Sequence, residues 1–130
     1  MPALPAIDHL ALTVSNAEAS VAFYSRLWDA RPTGTMNDGP FVRHKFDLGG
    51  GMSLGLTEHR EAPGDTRFNE QNPGLDHVGF AVASSTELAE WAAHLDGIGV
   101  AHSGIVEASY GHALSFKDPD GIALEFFLPK

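Results

Sequence analysis

Bulky apolar residues alternate with small or polar ones near the start of the chain. Leu10, Leu12 and Val14 share one face of a predicted strand, and His9, Ala11 and Thr13 share the other. The pattern returns 68 residues later, where Val78, Phe80 and Val82 oppose His77, Gly79 and Ala81. Even the preceding acid repeats, so that Asp8-His9 matches Asp76-His77. After each strand the periodicity becomes helical. Ser15-Asn16-Ala17-Glu18 reads as a capping box before Val21, Phe23, Tyr24, Leu27 and Trp28. Ser84-Ser85-Thr86-Glu87 reads likewise before Leu88, Trp91, Ala92 and Leu95. Gly97 and Gly99 are expected to stop the second helix, and Pro32 and Gly34 lie just past the first.

Strand-like segments complete each half. The first half has Phe41–Leu48 and Met52–Thr57 around Gly49-Gly50-Gly51. The second has His112–Phe116 and Ile122–Leu128 around the turn Lys117-Asp118-Pro119-Asp120-Gly121. Shorter strands are expected around Arg31–Thr35 and Val100–Ile105. The prediction is therefore an α+β fold: two tandem βαβββ modules, about 5–57 and 74–130, in a single domain spanning 1–130. The polar stretch from Thr57 to Gly74 connects them.

The histidine-bearing faces carry only small neighbours, which leaves room for a ligand. A lone strand histidine is more often structural; two at equivalent positions read instead as a pair of metal ligands. Glu125 is the third candidate, because it interrupts the apolar run from Ile122 to Leu128 on the same face as Ala123 and Phe127. A carboxylate there reaches water at a sheet edge or binds a cation. With His9 and His77 present, coordination is the better reading, and two histidines plus one carboxylate leave positions open for water or substrate.

These landmarks resemble the vicinal oxygen chelate superfamily, which includes glyoxalase I, extradiol dioxygenases, fosfomycin-resistance enzymes and bleomycin-resistance proteins. The resemblance rests on Ile7-Asp8-His9-Leu10, Phe23-Tyr24, Leu75-Asp76-His77-Val78 and Asp118-Pro119-Asp120-Gly121 leading to Leu124-Glu125-Phe126. It implies a curved mixed sheet around a cleft, with ligand positions at His9, Gly55, His77 and Glu125. Glyoxalase I usually carries a carboxylate where this chain has Gly55, so the set looks more like extradiol dioxygenases and fosfomycin-resistance enzymes. The implied cofactor is a divalent ion, with Fe2+, Mn2+, Zn2+ and Ni2+ all compatible. The implied activity is metal-dependent (dioxygenase-, isomerase- or thiol-transferase-like) on a substrate chelating through vicinal oxygens. The alternative is a non-catalytic protein that sequesters an antibiotic, similar to bleomycin-resistance proteins. Against a phosphonate substrate, only Lys130 comes after Glu125 as a cation.

Charge and composition narrow the partners. Eight basic against seventeen acidic residues give −9, which argues against nucleic acid and favours cationic ligands at long range. With no cysteine, disulfides and thiolate ligands are excluded. No apolar run approaches the ~18 residues of a membrane span, and no signal-peptide pattern opens the chain, so the cytoplasm is the default expectation. A small-molecule substrate or drug is the expected partner, and a homodimer the expected assembly. Arg43 and Lys45 align with Ala113 and Ser115 of the second module, so they are expected on the pocket side, able to hold an anionic group. Phe41 and Phe127 are expected to line the pocket. Tyr110 and His112 are candidates for proton donor or base. His59, His94 and His102 read as surface residues, and Trp28 and Trp91 as core.

Overall fold

The computed structural model describes residues 1–64 and 66–130 and divides into two units, Met1–Asp65 and Thr66–Lys130. The first unit runs β1 (His9–Thr13), α1 (Ala17–Trp28), β2 (Gly34–Met36), β3 (Phe41–Asp47) and β4 (Ser53–His59). Its four-stranded sheet has the order β1-β4-β3-β2, with β1 parallel to β4 and the other pairs antiparallel. The second unit runs β5 (Val78–Ala81), α2 (Ser85–Gly97), β6 (His102–Ala108), β7 (Gly111–Lys117) and β8 (Ala123–Pro129). Its order, β5-β8-β7-β6, repeats the same pairing scheme. The fold is α+β, built from two tandem βαβββ modules.

In each unit one sheet face takes the helix. Leu12, Phe46, Leu54 and Leu56 are buried in the first unit together with Phe23, Tyr24 and Leu27 of α1. Leu114, Phe116, Leu124 and Phe126 are buried in the second with Leu88 and Leu95 of α2. Each such side chain contributes about 1.5–3 kcal/mol of transfer free energy. Trp91 stacks on Phe126 at 4.2 Å between centroids, and Trp28 meets Phe46 edge-on at 5.4 Å. Both tryptophans therefore serve packing.

The helix ends differ in detail from the pattern expected. Asn16, not Ser15, caps α1, accepting from Ala19 N–H, while Glu58 of β4 accepts from Ala17 N–H. With Asn16 at the N-cap, the N3 position of a reciprocal box falls on Ala19, which has no side-chain acceptor. Asp29 closes α1 in the left-handed conformation (φ 47°), ahead of Pro32 and Gly34. The second capping signal holds: Ser84 accepts from Glu87 N–H, and Glu87 in turn accepts from Ala83 N–H. The short strands lie further along the chain than expected. Gly34 must stand opposite Lys45 to pair with β3, and β6 continues to Ala108, past an irregularity between His102 and Ile105.

His102 is not a surface residue. Its side chain is 14% exposed, bonded through Nε2 to Asp96 at 2.8 Å, with Nδ1 accepting from Gly104 N–H. That bridge ties the end of α2 to the start of β6. In the β7–β8 turn, Asp118 Oδ1 accepts from both Asp120 N–H and Ile122 N–H at 2.9 Å, which fixes the hairpin that delivers Glu125.

Candidate functional site

Register assigns the faces. In the first unit His9, Ala11 and Thr13 stand beside Ser53, Gly55 and Thr57, and β3 adds Asp47, Lys45 and Arg43 opposite those three. This is the face away from α1, and Ala11 and Thr13 on it are exposed. In the second unit Gly79 stands beside Glu125 and Ala81 beside Phe127, with Ser115 and Ala113 across from them on β7. Gly79 and Ala81 are likewise exposed. The small residues therefore leave the histidine-bearing faces open to solvent.

The two histidines are held alike. His9 Nδ1 lies 2.7 Å from Asp8 Oδ2, and His77 Nδ1 lies 2.6 Å from Asp76 Oδ1. A carboxylate only accepts, so Nδ1 of each ring donates to it, and Nε2 is the ring nitrogen left for another partner. Carboxylate–histidine pairs of this kind orient metal-ligating imidazoles in many proteins. Asp8 and Asp76 are functional candidates beyond the site residues named from the sequence. The signal was present in the internal repeat, which duplicates Asp-His rather than His alone.

His77 Nε2 lies 3.3 Å from Glu125 Oε1. The two atoms form a charge-assisted pair when Nε2 is protonated, and two lone-pair donors facing one another when it is not. The His77 pKa is raised above 6.5, mainly by its bond to Asp76 and also by the charge of Glu125, against an opposing effect of desolvation. Glu125 is 21% exposed and His77 47%. Glu125 packs against Gly79, where a Cβ would be in ordinary contact with Oε1 at 3.4 Å. Neither unit by itself gathers three or more His, Asp or Glu side chains in metal-holding proximity among the described residues. The second unit carries His77 and Glu125, and the first carries His9.

The remaining sequence candidates fall in different places. Phe127 lies flat over Gly111, where a Cβ would come within 2.5 Å of Phe127 Cζ, and Tyr110 stacks on it at 5.9 Å. Tyr110 is exposed. His112 is turned the other way. It pairs with Leu128 and Glu107 and so shares the face of Leu114 and Phe116, opposite to Glu125. Its Nδ1 is buried without a hydrogen-bond partner among the described residues, and its Nε2 is 3.9 Å from Glu107. Strand alternation, which gives His112 the opposite parity from Ala113, explains the difference from the pocket-side role expected of it. Lys45 is exposed and 3.4 Å from Asp47. Arg43 packs its guanidinium 4.4 Å from the Phe41 ring centroid.

Comparison with known proteins agrees with this architecture. A crystal structure of a glyoxylase/bleomycin resistance protein/dioxygenase domain from Frankia sp. EAN1pec superposes with a TM-score of 0.89 at 32% identity, covering 98% of this chain and 94% of that one. A mutant of the fosfomycin resistance protein FosX from Listeria monocytogenes, complexed with Mn(II) and 1S,2S-dihydroxypropylphosphonic acid, shares the fold with a TM-score of 0.74 at 19% identity over 98% of this chain and 95% of that one. The Bacillus subtilis (strain 168) protein named "Putative ring-cleaving dioxygenase MhqA" is 35% identical over 77 residues, 59% of this chain but 23% of its own length. This chain thus matches less than a quarter of that relative. No helix among the described residues is long and apolar enough to cross a membrane. The family model for the Glyoxalase/Bleomycin resistance protein/Dioxygenase superfamily matches residues 6–126, and the chain belongs to that superfamily.

Proposed function

We propose that this protein is a metal-dependent enzyme in which His9, His77 and Glu125, supplied by both modules of one domain or across a homodimer, hold a divalent ion. The observation that carries the proposal is the 3.3 Å approach of His77 Nε2 to Glu125 Oε1, with the opposite ring nitrogen committed to Asp76. Once the proton has left Nε2, a neutral imidazole beside an oriented carboxylate is a donor set suited to Mn2+, Fe2+, Zn2+ or Ni2+. Mn(II) in the complex of the FosX relative is in keeping with such a set.

When bound, the ion supplies Lewis-acid activation of a small-molecule substrate that chelates it through two neighbouring oxygens. The chain's own groups do the rest. Asp8 and Asp76 fix the imidazole tautomers, and Glu125 is the one anionic ligand. Gly79 and Ala81 keep the face clear, Phe127 offers a flat apolar surface one pleat from Glu125, and Tyr110 is a proton donor at its edge. His112 has no part in this scheme. Ring cleavage, as in the name of the MhqA relative, is one chemistry that such a platform serves.

The test is titration of metal-stripped protein with Mn2+, following the paramagnetic signal of the free ion. One site per chain is expected in the native protein, with tight binding abolished in His9→Ala, His77→Ala and Glu125→Ala. Undiminished binding in the His77 variant would refute the site. Native protein that takes up no metal, yet binds a drug, would point to sequestration instead.

A further inference from the structure

Equivalent positions of the two modules carry opposite charge. Glu125 of β8 corresponds to Gly55 of β4, and its neighbours on β7, Ser115 and Ala113, correspond to Lys45 and Arg43 of β3. Where the second module presents a carboxylate, the first presents a guanidinium. The Arg43 stem crosses Gly55, with Cδ 3.4 Å and Cγ 3.6 Å from the place a Cβ would occupy. A Cβ at 55 would be in ordinary contact with that stem, so the arginine lies down against β4.

That arginine is held on three sides. Its Nε donates to Thr57 Oγ1 at 2.7 Å, its Cζ sits 4.4 Å from the Phe41 ring centroid, and its stem rests on β4. Thr57 is itself 2% exposed, so the anchor is rigid. Neither terminal nitrogen, Nη1 or Nη2, has a hydrogen-bond or ion-pair partner among the described residues. A guanidinium ordered by its Nε and its stacking, with both terminal nitrogens free, has already lost the rotamer freedom that binding would otherwise cost. Those two nitrogens form a fork matched to a pair of oxyanion oxygens.

We infer that Arg43 is a specificity residue that binds an oxyanion of the substrate, a carboxylate or a phosph(on)ate, on the face that carries His9. Resting on the metal-site reading above, this makes the substrate class an anionic molecule with a separate pair of vicinal oxygens for the ion. The oxyanion site itself stands on the geometry of the first module alone. The net charge of −9 opposes anionic ligands at long range, so capture must come from short-range pairing, and added salt is expected to slow association little or even hasten it.

The test uses the full chain, both metal-free and Mn2+-loaded, with the Arg43 Nε–H resonance identified by its loss in Arg43→Met. Probes are 3,4-dihydroxybenzoate, catechol, which lacks the carboxylate, and methylphosphonate. In native protein the dihydroxybenzoate is expected to shift the Arg43 resonance and to bind about tenfold tighter than catechol. In Arg43→Met, which keeps the stem over Gly55, that ratio should fall to about one with catechol binding unchanged. Arg43→Lys should keep part of the preference, because charge remains and the fork does not. The relative response to methylphosphonate distinguishes the two kinds of oxyanion. Equal binding of dihydroxybenzoate and catechol, a preference surviving in Arg43→Met, or no Arg43 response to either anion would overturn the inference. Loss of the metal site with an intact Arg43 response would instead refute only the metal reading.

Discussion

Substituting Gly111 by alanine should cost stability through one steric conflict. Gly111 does not have a positive φ, so no backbone strain enters. The added Cβ would lie 2.5 Å from Leu128 O and 2.5 Å from Phe127 Cζ. Contacts below 3.0 Å are essentially never seen for a real Cβ, so β7 and β8 must separate by about half an ångström or more, and the ring must tilt away. Overpacking of this kind costs about 1–3 kcal/mol. Alanine recovers about 0.4–1 kcal/mol by restricting the unfolded chain. Taking the middle of each range, the net loss is about 1.3 kcal/mol, a fall in Tm of roughly 4–7 °C for a domain this size. Gly39→Ala is the control, since nothing lies within 4 Å of a Cβ there, and it should be neutral or slightly stabilising. Differential scanning calorimetry of the two variants reads the effect. A Gly111→Ala protein melting within about 1 °C of the native one would refute the packing of Phe127 over β7.

The same contacts set further outcomes. Leu124→Ala, at a 1% exposed position between β5 and β7, should lose about 2–5 kcal/mol by denaturant unfolding, and a loss below about 1 kcal/mol would contradict its place in the core. Because the folded-state pKa of His77 is raised, its charged form adds stability to metal-free protein below pH ~6.5. That stability is lost as pH rises through the higher folded value. The Tm gap between native protein and His77→Gln should therefore narrow from pH 5.5 to 8; a constant gap would sink the assignment. The same proton must leave before a metal binds, so affinity should keep rising with pH above the range where an ordinary histidine has finished titrating. Asp76→Asn removes the main cause of the shift, and should move that pH dependence lower while weakening binding at pH 8 by about 10–100-fold.

Much of this was legible in the sequence because a repeat states each rule twice. The alternation around His9 and His77, the helical spacing from Phe23 to Trp28 and the Asp118–Gly121 turn each reflect one local cause, and each produced the element expected. What the sequence obscured depended on pairing. The β2 and β6 strands are edge strands whose limits are set by the partner strand, not by their own residues. Parity within β7 sends His112 to the helix face, although one residue in either direction reverses the answer. Likewise nothing local announces that Arg43 lies across Gly55, or that Phe127 covers Gly111. The modules exchange size at equivalent points, with Phe41 and Thr57 in one where the other has Gly111 and Phe127, and the register sets Arg43 against Thr57 and Ala113 against Phe127.

The most direct test of the central claim is the metal content of native protein purified without added metal or chelating resin, measured beside a His9→Ala/Glu125→Ala double variant. The account predicts a divalent transition metal approaching one per chain in the native protein and loss of it in the variant. Equal content in both, or none in the native protein after anaerobic incubation with Fe2+, Mn2+, Ni2+ and Zn2+, would contradict it.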